Sequence, residues 1–180
     1  MAPYQAGGDL WKEANSMSPS YKQSVGQALY RRSLYSVWKR TAPLPNMMAF
    51  DASSREVCTV SRSRTNTPLQ ALVLLNDVQF LEAARCLAVK IMQTTSAEDS
   101  QIEMAFLSLT GRMPDEEEKA TLTQLLKEEQ QYYADNMDKA SRFITLGQTE
   151  LDSPLATDEV AALSIVCQAI ANLDATIWSR

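Results

Sequence analysis

The chain has 180 residues, 45% hydrophobic and 22% charged, with five Gly, seven Pro and a formal net charge of −5. A chain of this length buries roughly 70% of its unfolded surface, which excludes collagen-like, low-complexity and wholly disordered classes and predicts one compact soluble domain, or two small lobes sharing a core. It contains no histidine, so catalytic triads, imidazole acid–base chemistry, His-ligated zinc and haem with a proximal histidine are excluded from it.

Residues 1–18 hold Pro3, Gly7, Gly8 and the isolated aromatics Tyr4 and Trp11 without any period, and predict an extended arm anchored by those rings. From Ser20 to Arg40, apolar residues at Tyr30, Leu34, Val37 and Trp38 keep a helical spacing. Lys39 and Arg40 suit the negative end of that helix, and Pro43 and Pro45 end it. Thr41 to Asn66 reads as a long connection, with at most a short helical turn after Asp51; a connection of that length is either functional or conceals an element that the pattern does not reveal. Thr67-Pro68 then opens a helix, Thr as N-cap and Pro at the first helical position. Leu69, Leu72, Val73, Phe80, Ala84, Leu87, Ala88 and Ile91 share one face, with a break at Asn76-Asp77 that lets Asp77 cap a second helix.

A further helix follows Ser96, buries Ile102, Ala105, Phe106 and Leu109, and closes on Gly111 in the left-handed C′ position. Pro114 and Asp115 open the next, where Asp115 and Glu118 have capping-box spacing and Leu122, Leu125, Leu126 and Tyr133 form the buried stripe. A short helix over Met137–Leu146 ends at Gly147. Asp158 to Asn172 is apolar on most of its circumference and predicts a central helix. With no sustained period-two alternation, the fold class is all-α: an irregular domain of about six helices over residues 1–180, with an arm (1–18), a helix plus long loop (19–66) and a helical core (67–180).

Residues 1–66 carry nine Lys and Arg against four Asp and Glu, and residues 67–180 carry eight against eighteen. The two parts attract one another, and the overall acidity argues against a nucleic-acid partner. No run approaches the roughly 18 apolar residues of a membrane span, and the first 20 residues contain no signal-peptide core. Cys58, Cys86 and Cys167 have no paired spacing and read as isolated thiols, Cys167 as a small core hydrophobe. Carboxylates at Asp115-Glu116-Glu117-Glu118 complement a helix N-terminus rather than gather a cation. Met47-Met48 lacks the C-x-x-C-H attachment that c-type haem needs, so no cofactor is expected in this chain and no metal site is assigned.

The stretch that carries chemistry runs from Arg55 to Leu72. Arg55, Arg62 and Arg64, followed by Asn66, Thr67 and Gln70, lead directly into a capped helix start. Unpaired N–H groups and the positive dipole end favour an anion there, and guanidinium forks suit a carboxylate, sulfate or phosphate. The alternative is that these Arg pair with the chain's own carboxylates and fasten a long loop.

The run Tyr30-Arg31-Arg32-Ser33-Leu34-Tyr35-Ser36-Val37-Trp38-Lys39-Arg40-Thr41, with Phe50-Asp51-Ala52, Arg55-Glu56-Val57-Cys58 and Arg64-Thr65-Asn66-Thr67-Pro68-Leu69-Gln70-Ala71-Leu72-Val73-Leu74-Leu75-Asn76-Asp77, resembles the planctomycete-specific domain. So do Gly111-Arg112-Met113-Pro114 and Ala171-Asn172-Leu173-Asp174. The resemblance implies the C-terminal portion of a domain of unknown function in large exported proteins, where it commonly follows a cytochrome-c-like haem domain. Tyr4, Gln5 and Trp11 then resemble an internal segment of a longer polypeptide, located in the periplasm or cell envelope. It implies no catalytic residue. Two functions are therefore expected as alternatives: a helical interaction or scaffold domain that contacts other domains of its parent protein, or the C-terminal part of an oxidoreductase or polysaccharide-processing enzyme gripping an anionic small molecule or saccharide through the Arg-rich loop.

Overall fold

The computed structural model describes residues 2, 22–39, 43–150 and 154–177. The predicted arm, with Tyr4 and Trp11, lies outside them apart from Ala2. Eight α-helices occur among the described residues, and no strand: α1 Pro45–Ala49, α2 Pro68–Asn76, α3 Val78–Thr94, α4 Glu98–Thr110, α5 Glu116–Asp135, α6 Met137–Ile144, α7 Thr157–Ala171 and α8 Asp174–Ile177. The chain divides into two compact units, Met1–Val73 and Leu74–Arg180, and the division falls inside α2 rather than at its start.

In the first unit the predicted helix over Ser20–Arg40 does not form across the described residues 22–39. Two 3-10 turns, Gly26–Ala28 and Ser33–Tyr35, stand in its place. Gly26 sits at φ +59°, a left-handed conformation that interrupts a right-handed helix. Ser, Val and Tyr recur through the segment, and a sequence of such low propensity stays helical only if its stripe is buried. Here Tyr30, Leu34 and Val37 remain exposed. Pro45 starts a helix instead of ending one: it occupies the first position of α1, placing Met47 and Met48 on a helix and not in a loop. The helical turn therefore precedes Asp51, which itself sits at φ +57°.

The Thr67-Pro68 start and the break at Asp77 form as predicted. The Asp77 carboxylate accepts the Gln79 N–H at 2.9 Å and caps α3. The inner face of α2 differs, however: Leu69 and Leu72 are each 57% exposed, while Gln70 and Leu74 are buried. Gln70 is drawn inward by hydrogen bonds described below, and its i+4 neighbour Leu74 follows it.

The second unit is a helical core built around α7. Val160, Ala161, Ala162, Leu163, Val166, Cys167 and Ile170 are all buried, and α3, α4, α5 and α6 each pack against this helix. They contribute Ala88 and Ile91 from α3, Ile102 and Phe106 from α4, Leu126 and Tyr133 from α5, and Ala140 from α6. Each fully buried aliphatic side chain contributes about 1.5–3 kcal/mol. The two polar residues on the inner face of α7 are also bonded: Ser164 Oγ donates to Val160 O at 2.6 Å, and Gln168 Nε2 reaches Leu74 O and Leu75 O, each at 3.5 Å. Gly111 ends α4 at φ +76°, and Asp115 with Glu118 completes both halves of the capping box on α5.

Candidate functional site

Six residues of the Arg-rich stretch were expected to act together, and the structure separates five of them into three groups, with Asn66 apart from these. Thr67 and Gln70 are structural partners. Thr67 N–H donates to Gln70 Oε1 at 3.0 Å, and Gln70 N–H donates to Thr67 Oγ1 at 3.3 Å. This is a reciprocal capping box with Gln in place of Glu. Gln70, fully buried, uses its amide nitrogen on Thr65 Oγ1 at 3.1 Å and on Asp51 Oδ2 at 3.5 Å. The same Asp51 oxygen accepts the Thr65 N–H at 2.9 Å and the Thr65 hydroxyl at 2.8 Å. Asp51, Thr65, Thr67 and Gln70 thus clamp the turn after α1 to the start of α2, across 14 residues of chain.

Arg55, the second group, lies at the near end of the loop so closed. Its backbone is left-handed at φ +60°, and its guanidinium stacks over the Trp38 ring, 5.5 Å from the centroid. At an exposed position such a cation–π contact contributes about 0.5–1 kcal/mol toward holding the side chain. Arg62 and Arg64 form the third group: both are exposed, and neither makes an ion pair among the described residues. Asn66 is exposed beside the clamp. Every residue from Arg55 to Arg64 is exposed, and among the described residues no backbone–backbone hydrogen bond involves residues 53–66. The loop is a protruding segment locked at its base.

The helix start next to it is largely spent. Pro68 has no N–H, and the Gln70 N–H is taken by Thr67, so Leu69 offers the remaining donor of the first turn. Among the described residues, no carboxylate holds Arg62 or Arg64 either. Among the described residues, no group of three or more His, Cys, Asp or Glu is placed to hold a metal ion, and no helix is long and apolar enough to cross a membrane.

Two clusters in the second unit were missed from sequence. Glu82 and Arg85 on α3 are 2% and 1% exposed. Glu82 Oε1 accepts the N–H groups of Gln148 at 2.8 Å and Thr149 at 2.6 Å, and Arg85 Nη2 donates to Thr149 O at 2.7 Å. Together they fasten the segment after α6. Gly147 passes so close, at φ +94°, that a Cβ there would overlap the Glu82 carboxyl. The available signal was a charged pair at i,i+3 inside the apolar face of α3. Arg112 is the other: it holds Glu118 through two bonds, 2.8 and 2.6 Å, and stacks over Phe106 at 4.8 Å. That guanidinium, with the Asp115 N–H, lowers the Glu118 carboxyl to about 2. All three cysteines are free thiols, Cys58 exposed and Cys167 buried, and burial pushes the Cys167 thiol up to about 12. It is a core residue with no thiolate chemistry at neutral pH.

A family model described as PSD1, protein of unknown function (DUF1553), matches residues 2–126. The chain belongs to the PSD1 family. The PSD1 match takes in the clamp, the Arg-rich loop, α3, α4 and the first half of α5, and it stops at Leu126, before the helix α7 that centres the core. The Gly111–Pro114 turn lies within it and Ala171–Asp174 lies beyond. No curated protein and no solved structure matches this PSD1 chain.

Proposed function

We propose that the chain is a non-catalytic helical interaction module that contacts other domains of its parent polypeptide through the Arg55–Arg64 loop. On the resemblance to the planctomycete-specific domain, that parent is an exported protein of the periplasm or cell envelope, and the neighbouring domains include a cytochrome-c-like haem domain. The haem belongs to that neighbour, and this chain supplies no cofactor of its own. The observation that carries the reading is the loop itself: ten exposed residues, with the guanidinium groups of Arg62 and Arg64 unpaired among the described residues, on a base held by the buried carboxamide of Gln70. A displayed, pre-positioned segment loses less conformational freedom on binding than a free one.

The unpaired Arg62 and Arg64 also favour a second reading, the anion-gripping part of an oxidoreductase or polysaccharide-processing enzyme. The capped start of α2 speaks against it, since the Thr67 and Gln70 N–H groups are engaged in the cap and Pro68 has none. A thermal-shift titration of wild type, Arg62→Ala and Arg64→Ala with sulfate and an acidic sugar tests the two. The interaction reading expects all three melting curves to coincide within about 0.5 kcal/mol of stability, the surface expectation, and none to respond to either anion. Anion-dependent stabilisation present in wild type and lost in the Ala variants would replace it with the ligand reading.

A further inference from the structure

Among the described residues 22–64, cations outnumber the two carboxylates, Asp51 and Glu56, and Asp51 is committed to the clamp. Beside the unpaired Arg62 and Arg64, Val57 and Val60 are also exposed. Arg is among the residues that protein interfaces concentrate, and the exposed Val57 and Val60 gain by leaving water. The complementary surface is present in the second unit. Glu128, Tyr132 and Asp135 stand at i, i+4 and i+7 on α5 and so share one face; all three are exposed, as are Met137 and Asp138 at the start of α6. Among the described residues, Glu128 and Asp135 accept from the neutral amides of Gln124 and Gln131, at 2.8 and 3.0 Å, and from no cation. The nearby Lys139 donates to the Tyr132 hydroxyl at 2.6 Å and lies over its ring. Asp135, in the last turn of α5, faces the negative end of the helix dipole, and a cation brought against it relieves that cost.

We propose that the Arg-rich loop of one copy docks on the α5–α6 acidic face of a second copy, Arg62 and Arg64 against Glu128 and Asp135, with Val57 and Val60 meeting Tyr132 and Met137. This rests on the reading of the loop as a protein-docking element and adds, beyond the other domains of the parent polypeptide, a second copy of the chain as its occupant. The contact joins unlike surfaces, so reciprocal pairing gives a two-fold dimer and serial pairing gives larger assemblies.

Mass measurement by light scattering or sedimentation tests it, on the intact chain at concentrations up to about 1 mM, the weak end of specific binding. At about 0.01 M salt, where the Debye length is about 30 Å, wild type should exceed the mass of one chain; at about 1 M, where it is about 3 Å, it should return to one chain. Arg62→Glu/Arg64→Glu and Glu128→Lys/Asp135→Lys should each stay at one chain, with unchanged circular dichroism. An equimolar mixture of the two should associate again, because each restores the charge its partner lacks. Wild type at single-chain mass under every condition, association that survives either double variant, or a mixture that fails to associate would each overturn the proposal. A monomeric chain whose loop cross-links to another domain of the parent polypeptide would overturn this pairing while leaving the docking reading in place.

Discussion

Replacing Asp51 with Ala removes the one acceptor shared by both ends of the Arg-rich loop. The Thr65 N–H and hydroxyl, at 2.9 and 2.8 Å, lose their partner, and the longer contact from Gln70 at 3.5 Å goes with them. A hydrogen bond to a charged acceptor is worth about 1.5–3 kcal/mol when buried; Asp51 is only half-buried, which places the pair at about 2 kcal/mol. The left-handed φ of +57° adds about 1 kcal/mol, because Ala tolerates it less well than Asp, whose side chain bonds locally. Opening of the clamp should then be easier by about 3 kcal/mol, or roughly two decades in equilibrium constant. Native-state amide exchange reads this directly: the Thr65, Thr67 and Gln70 amides should exchange about 100-fold faster, with α7 unchanged. Asp51→Asn keeps an acceptor oxygen and the tolerance of positive φ, and should fall between. Unchanged exchange at Thr65 and Gln70, or an equal loss across α7, would refute the clamp.

Leu163→Ala, on the buried face of α7, should cost about 2–5 kcal/mol in chemical denaturation; a loss under about 0.5 kcal/mol would mean that α7 is peripheral. Gly147→Ala forces a Cβ onto the buried Glu82 carboxyl at positive φ and should destabilise by about 2–4 kcal/mol, seen as a lower thermal midpoint; a wild-type midpoint would contradict the observed course of that segment. The Glu118 carboxyl is held at about 2 in the fold against 4.5 for the free group, so its stabilising contribution is complete above about pH 4.5 and is lost as pH falls toward about 2. Denaturation midpoints of wild type and Glu118→Gln should therefore differ near neutrality and converge at about pH 2; a constant gap would dissociate the pH response from this residue.

The helices of the second unit were legible because their signals are local and agree with one another. Gly111 after α4, the Asp115–Glu118 box before α5 and the wide apolar surface of α7 each state a boundary or a burial that tertiary packing then respects. The first unit was less legible. Tyr30, Leu34 and Val37 have helical spacing, but no core receives them, so period without burial misled. Gln70 shows the converse case: its polarity points outward, while its carboxamide is buried to join Thr65, Thr67 and Asp51. Arg62 and Arg64 were located from sequence, but their lack of internal partners depends on where carboxylates distant in sequence come to lie. The Glu82–Arg85 pair escaped for the same reason, because its partners Gln148 and Thr149 are more than 60 residues away.

The most direct test of the loop's role is a photo-cross-linking residue in place of Val60 in the intact parent polypeptide within its own cell. Val60 is fully exposed at the tip of the loop and outside the clamp, so the substitution leaves the base undisturbed. The docking account predicts a defined protein cross-link, mapped by mass spectrometry to one surface, that weakens when Arg62→Glu/Arg64→Glu is added. A loop that cross-links to no protein surface, or whose cross-links are indifferent to that double substitution, would contradict it.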